Sequence, residues 1–449
     1  MLQDNSVRLD FWQKEPSFKL ESEQISILLG AASYRAKLLS LIKSAQQRIV
    51  ITALYLQDDE AGREILAALH AASNANPNLR VDVLVDYHRA QRGLIGEAES
   101  EGNAGLYYQE LQSHQNNVRI FGVPVKGKEV FGVLHLKGMV IDDTVLYSGA
   151  SLNNVYLQYE SRYRLDRYFT INNPSLANAF LKFIDDELIS SHAIIRLDQR
   201  PIKKLAQCKS DHRALMKSLK RAKYPSSNTA QSGTIDSFLF LGFGRRGNML
   251  NRAIKNLFEL GEKELVLYTP YFNFPAPLLR VLRKKLKQGL KVSIVVGDKT
   301  ANDFYLSPDK PFSKIGALPY LYETILAKFL KLNDKYVQSG LLNVYLWRHE
   351  TNSFHLKGIS VDNRYQMMTG HNLNPRAWGL DIENGILFDD AEGVLTEQLE
   401  QEKQQILTHC TKLNSYKELE SMHQYPEPVA KLLGQAKRVK VDFIIKRFI

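Results

Sequence analysis

The chain has 449 residues, 44% hydrophobic and 24% charged, a balance that excludes a collagenous, coiled-coil or wholly disordered protein. Lys and Arg number 59 against 48 Asp and Glu, a formal net charge of +11, so an anionic partner is expected: nucleic acid, a phosphorylated ligand or an acidic membrane surface. Only Cys208 and Cys410 occur, too few for a disulfide framework and in no metal-ligand spacing, which fits a reducing cytoplasm.

Residues 1–21 mix charges with isolated aromatics and carry no apolar stretch of signal-peptide length. No run approaches the roughly 18 apolar residues that span a bilayer, so any membrane association is expected to be peripheral. From there the chain follows one order of elements twice. A helical pattern over 33–47 leads into the apolar, β-branched run RIVITALYL, which ends near Tyr55; a second helical pattern over 62–72 and a short strand over 81–85 follow, closed by Asp86. In the other half a helical pattern over 249–260 leads into ELVLYTPYF, with Tyr271 opposite Tyr55, then a helix over 277–287 and a strand over 292–296, followed by Asp298. Strands alternating with helices of this length predict βαβ units. The expected class is α/β, two similar domains of mixed sheet flanked by helices and related by a pseudo-twofold, placed at 1–199 (with an N-terminal extension) and 234–425.

Between them, residues 200–223 carry nine Lys or Arg and one acid, with Leu205, Cys208, Leu215 and Leu219 near helical spacing. This reads either as a solvated connecting helix or as a surface for anionic head groups. Residues 225–233 (PSSNTAQSG) read as an exposed end to this linker, 200–233 overall. The tail 426–449 alternates apolar and basic residues, so it could lie in a membrane interface or pack on the second domain.

The chemistry is concentrated in a pattern that occurs at the matching place in each half. His135-Leu-Lys137 is followed by Asp142, and His355-Leu-Lys357 by Asp362, each a His-x-Lys-x-x-x-x-Asp. On a strand, residues i and i+2 share a face, so each His and Lys project together. The Asp lies off that face at the far end, which reads as structural or as supporting the groups that touch substrate. Downstream, Gly149-Ala-Ser151-Leu-Asn153 matches Gly370-His-Asn372-Leu-Asn374, small and amide residues that let backbone approach a ligand and donate hydrogen bonds. Asp166 and Glu383 stand at corresponding places before a strand; a carboxylate on imidazole Nδ1 would fix the tautomer and raise the basicity of Nε2, the alternative being a plain salt bridge. Two imidazoles, two ammonium groups and two Asn amides meeting across a pseudo-twofold make a pocket for one phosphoryl group, with one His as nucleophile and the other as acid and then base. No metal or other cofactor is called for.

The duplicated pattern resembles the phospholipase D superfamily, whose members act on phosphodiesters through a covalent phosphohistidine. Longer stretches, VLVDYHRAQRGLIG (83–96), GVLHLKGMVIDDTVLYSGASLNNVYL (132–157), VGDKTANDFY (296–305), IGALPYLYE (315–323) and NLNPRAWGLDIEN (372–384), resemble the branch found in Gram-negative bacteria that moves a phosphatidyl group from CDP-diacylglycerol to L-serine. The resemblance covers roughly residues 30 to 449. It implies His135, Lys137, His355 and Lys357 as the active-site core, with His135 the nucleophile and His355 the acid and base. The superfamily's Gly-Ser-x-Asn is shifted in this chain, which leaves the role of Ser151 open and keeps Asn153 and Asn374. The partners implied are CDP-diacylglycerol, L-serine and an anionic phospholipid surface, at the cytoplasmic side of the inner membrane; nucleic acid is not expected and the oligomeric state is undetermined. The same motifs also suit a cardiolipin synthase or phospholipase D, a nuclease, or an inactive basic scaffold. Tyr271 or Phe272 could stack on the nucleotide, and Asp298, Lys299 and Thr300, or Arg89 and Arg92, could meet serine.

Overall fold

The computed structural model describes residues 11–92, 102–226, 232–307 and 309–438. Two mixed sheets repeat one plan. The first runs Ile195–Arg196, Val118–Val123, Arg80–Asp86, Arg48–Thr52, Met139–Ile141, Thr144–Ser148, Tyr168–Asn172, Ile25–Leu28. The second runs Ser17–Leu20, Ile235–Phe243, Ile382–Asp389, Tyr365–Thr369, Gly358–Val361, Glu264–Thr269, Lys291–Gly297, Leu342–Trp347, Cys410–Leu413. In each, three parallel strands, 48–52, 80–86 and 118–123 or 264–269, 291–297 and 342–347, are followed by antiparallel ones. Val and Ile dominate the parallel strands because helices cover one face and a shared core the other.

The outer faces carry helices such as Ala31–Ser44 and Glu60–Ala75 in the first half and Met249–Leu260 and Ala276–Lys287 in the second. Between the halves lies one continuous core. Val50, Leu84, Val140 and Phe169 of the first sheet pack with Leu239, Met368, Ile386 and Phe388 of the second, together with the helix Pro174–Phe183. That joint burial makes the two halves one hydrophobic unit.

One boundary differs from the expected division, and the linker and the tail each take a packed form. The N-terminal extension, assigned to the first domain, lends Ser17–Leu20 to the second sheet, antiparallel to Ile235–Phe243. Phe11 and Trp12, just before that strand, go with it, Phe11 stacking on Phe240 and Trp12 meeting Tyr365 edge-on. The linker forms a helix, Lys209–Leu219, that buries Leu215 and Leu219 in the shared core and keeps Lys209, Arg213 and Lys217 outside. It is a packed strut. Of the tail, Glu427–Arg438 is a helix whose Val429 is buried against Ala317, Tyr320 and Tyr425; residues 439–449 and 227–231 lie outside the described residues. No helix among the described residues is long and apolar enough to cross a membrane.

Candidate active site

The site forms where each half reaches into the other. The segment before the first motif pairs with the second half: His135 N–H donates to Ile382 O and Ile382 N–H to Val133 O. The mirror pairing joins the second motif to the first half, with His355 N–H donating to Leu165 O and Ser353 N–H to Tyr163 O. In both cases the residue after the acceptor is the carboxylate. Glu383 follows Ile382 and Asp166 follows Leu165, so backbone pairing across the interface sets each His beside an acid from the opposite half.

His135 Nδ1 lies 2.9 and 2.8 Å from the two Glu383 oxygens. His355 Nδ1 lies 3.3 Å from Asp166 Oδ2 and 2.8 Å from the Tyr156 hydroxyl. Lys357 Nζ donates to Asp166 at 2.9 Å and touches His355 Nδ1. Both motif histidines are 7–8% exposed and both lysines 1%. Buried ammonium groups are costly unless something anionic meets them. Lys357 meets Asp166, whereas Lys137 Nζ is buried with no partner among the described residues.

The electrostatics follow from that difference. Burial, with Lys357 nearby, lowers Lys137 to about 7. Burial and Lys357 lower His355 to about 4, and burial with both lysines puts His135 well below its ordinary value. Burial alone would raise Asp166, but Lys357 and His355 pull it below the usual carboxylate range. Glu383 goes the other way, pushed up by burial and by Asp381.

Two glycines leave room for these contacts. A Cβ on Gly149 would stand 2.8 Å from both Asp166 oxygens and 3.0 Å from Lys357 Nζ. On Gly370 it would stand 3.0 Å from Lys137 Cγ, 3.2 Å from Glu383 and 3.3 Å from His135 Nδ1. Each glycine thus faces the charge cluster of the opposite half.

The remaining residues singled out from the sequence divide clearly. Asp142 and Asp362 lie at the far ends of their strands, where each carboxylate accepts from three successive backbone N–H groups, of Gln46, Gln47 and Arg48 or of Glu262, Lys263 and Glu264. They pin the corner between helix and strand and do not reach the histidines. Asn153 and Asn374 use Oδ1 to cap the backbone three residues on, at Tyr156 and Ala377, leaving the amide nitrogen as the donating end. Ser151 is buried, and Asn372 holds a buried Oδ1 without a partner among the described residues. Tyr271 donates to Asp303 at 2.8 Å and stacks on Tyr322 at 5.0 Å; it also meets His355 edge-on at 6.3 Å. Tyr55, at the corresponding place, lies under the Arg89 guanidinium at 4.7 Å. Phe272 belongs to the outer core, packed on Phe274 and Phe329. Arg92 is held by Glu129, Lys299 by Glu323 and Glu420, and Asp298 caps Thr300; these are structural pairs.

Sequence reasoning missed Tyr156, Arg164, Asp303 and Asn384. Arg164 lies 2.8 Å from Asp303 and over the Tyr156 ring at 4.6 Å. Asn384 clasps the Lys137 backbone, accepting from its N–H at 2.8 Å and donating to its C=O at 2.7 Å. Three of these four fall inside the long stretches that carried the resemblance, but no spacing rule marks them.

The family described as "Cardiolipin synthase, PLD-like domain" matches residues 38–185 and 254–407, one match for each half. A CDP-diacylglycerol–serine O-phosphatidyltransferase of Haemophilus influenzae is 45% identical over 96% of this chain and 96% of its own. That of Escherichia coli is 42% identical over 97% and 96%. The crystal structure of the phosphatidylserine synthase from Haemophilus influenzae superposes with a TM-score of 0.96 at 43% identity, covering 99% of both chains. The duplicated His-Lys site, crossed between two like halves, and this full-length similarity together place the chain in the phospholipase D-like family, within the CDP-diacylglycerol–serine O-phosphatidyltransferases.

Proposed function

We propose that this protein transfers the phosphatidyl group of CDP-diacylglycerol to the hydroxyl of L-serine, releasing CMP, in two steps through a phosphohistidine on His135. The observation that carries the reading is the crossed pair of His–carboxylate contacts converging on two buried lysines, in a chain whose full-length relatives bear that activity in their names.

With Nδ1–H given to Glu383, the lone pair of His135 Nε2 is free to attack phosphorus. The N–P bond forms as the P–O bond to CMP breaks, and His355 Nε2 supplies a proton to the departing oxygen. Lys137 and Lys357 neutralise the oxygens on phosphorus; the Asn153 and Asn374 amides add neutral donors. The anionic donor also offsets the positive field that lowers both imidazoles, so His355 gains its proton when substrate is present. Serine then enters. His355, now neutral, takes the hydroxyl proton, the serine oxygen bonds to phosphorus, and the N–P bond returns its electrons to His135.

The donor lipid is membrane-embedded, and we place the protein on an anionic leaflet, held by exposed basic residues at roughly 1 kcal/mol each near the surface. Deleting 426–449 is expected to lower sedimentation with anionic vesicles at low salt; unchanged sedimentation would take the tail out of the account. The reaction itself is tested by CMP release from CDP-diacylglycerol in mixed micelles with and without L-serine. Serine-dependent release with phosphatidylserine as product is expected. Phosphatidic acid alone, indifferent to serine, would make this a hydrolase or a transferase for another alcohol.

A further inference from the structure

The parallel strands end on the side of the molecule that carries the motifs, and the loops that follow them line the approach to the histidines, as in open α/β sheets generally. Past the end of Arg80–Asp86, one side chain there has no account in the mechanism above. Arg89 is 9% exposed, yet among the described residues its guanidinium makes no hydrogen bond, and Nη1 is buried without a partner. A buried arginine is almost always paired.

Among the described residues, the acids near it are already committed. Glu129 holds Arg92 through both oxygens, at 2.5 and 2.8 Å. The Asp86 carboxylate accepts from three backbone N–H groups, those of His88, Arg89 and Leu134. The last of these fixes the position: one carboxylate ties the turn that bears Arg89 to the residue immediately before His135. The guanidinium carbon lies over the Tyr55 ring, 4.7 Å from its centre, a contact that uses none of its N–H groups. Tyr55 in turn lies within electrostatic range of Arg164 and Asp303, the pair that reaches Tyr271 and, through the Tyr156 ring, His355. Among the described residues Arg89 is thus a buried cation that no acid hydrogen-bonds, tied through Asp86 to the residue before His135, and the second half has Ala301 at the matching place after Asp298.

We propose that Arg89, packed against Tyr55, is an anion receptor of the active-site pocket that takes two oxygens of a substrate carboxylate or phosphate on its guanidinium edge. Planar, bidentate recognition of such groups is what arginine does best, and a lysine does not reproduce it. Both substrates of the proposed reaction offer one: L-serine its carboxylate, CDP-diacylglycerol its diphosphate.

The proposal rests on the serine phosphatidyltransferase reading, so the unaltered enzyme is assayed first for serine-dependent CMP release. Arg89→Ala and Arg89→Lys are then compared in two assays, the KM for L-serine in the full reaction and the exchange of labelled CMP into CDP-diacylglycerol without serine. A serine KM raised roughly 10²-fold with exchange within twofold of normal identifies the carboxylate; exchange requiring roughly 10²-fold more donor, with serine KM unchanged, identifies the diphosphate. Arg89→Lys should recover less than a tenth of the loss. Either KM within twofold of normal in both assays, or a fall in kcat alone, overturns the proposal. If the unaltered enzyme releases no CMP, the reaction reading fails separately, and Arg89 is tested by inorganic pyrophosphate: the thermal protection it gives the unaltered protein should need at least tenfold more ligand in Arg89→Ala, and equal protection would overturn the assignment.

Discussion

The two halves of the active site share a plan and differ in charge. Around His355, the Lys357 ammonium, the Asp166 carboxylate and the Tyr156 hydroxyl form a closed network. Around His135 there is one pair, with Glu383, and Lys137 stands apart without a partner among the described residues. The first arrangement suits a group that must pick up and release a proton, because its neighbours can take up the change in charge. The second suits a nucleophile, whose lone pair must stay free and whose adjacent cation must be available to an oxygen on phosphorus. Duplication built a symmetric frame; in the proposed mechanism the side chains placed on it divide the labour.

The largest expected effect comes from breaking the division outright. His135→Ala should lose about 10⁴-fold or more in CMP exchange, because no bond to phosphorus can form, whereas His355→Ala should lose about 10²- to 10³-fold and accumulate the phosphatidyl-enzyme. Equal losses with no accumulation in either variant would mean that the halves are interchangeable.

The glycines sharpen the same comparison. Gly149→Ala forces a Cβ into contact with the Asp166 oxygens at 2.8 Å, closer than real Cβ atoms come, so the His355 network must move; a loss of about 10²-fold in kcat is expected. Gly370→Ala meets its neighbours at 3.0 Å and beyond, and about a tenfold loss is expected. The reverse order would place the tighter cluster on the wrong half.

Lys137 gives a pH test. With its pKa lowered to about 7 in the empty site, it is charged below that pH and neutral above it. The donor is an anion, so kcat/KM for CDP-diacylglycerol should fall as pH rises through about 7, by up to tenfold per unit, while the limb in kcat moves higher because bound phosphate favours the charged form. Lys137→Arg, charged throughout, should flatten the limb even if it lowers the rate. A limb that stays in place would show that another group sets it.

The smallest effect is expected where the halves are truly alike. Asp142→Ala and Asp362→Ala each remove the acceptor for three backbone N–H groups, a loss of about 1–3 kcal/mol. Both should lower the thermal midpoint by a few degrees and leave kcat of the folded enzyme within about twofold. A large fall in kcat from either would put that aspartate in the reaction.

How much of this was legible in the sequence follows from the kind of signal each feature leaves. The His-x-Lys pairs and the matched strands were readable because strand periodicity and duplication are local patterns. The spacing already put Asp142 and Asp362 off the face that His and Lys share, since the offset is odd. Which carboxylate serves which histidine was not legible, because the pairing of His135 with Ile382 and of His355 with Leu165 spans 247 and 190 residues. The N-terminal strand was misassigned for the same reason: Ser17–Leu20 looks like the start of the first half, and only the antiparallel ladder with Ile235–Phe243 puts it in the second sheet. Arg89 and Arg92 looked equivalent in sequence; Glu129 distinguishes them, and it lies 37 residues beyond Arg92.

The central claim is that the covalent intermediate belongs to the first half. Mixing the protein with CDP-diacylglycerol in the absence of serine, quenching in base and mapping the modified peptide by mass spectrometry tests it most directly. The account predicts a phosphatidyl adduct on His135, stable to base and labile to acid, that disappears on adding L-serine. An adduct on His355 would contradict it.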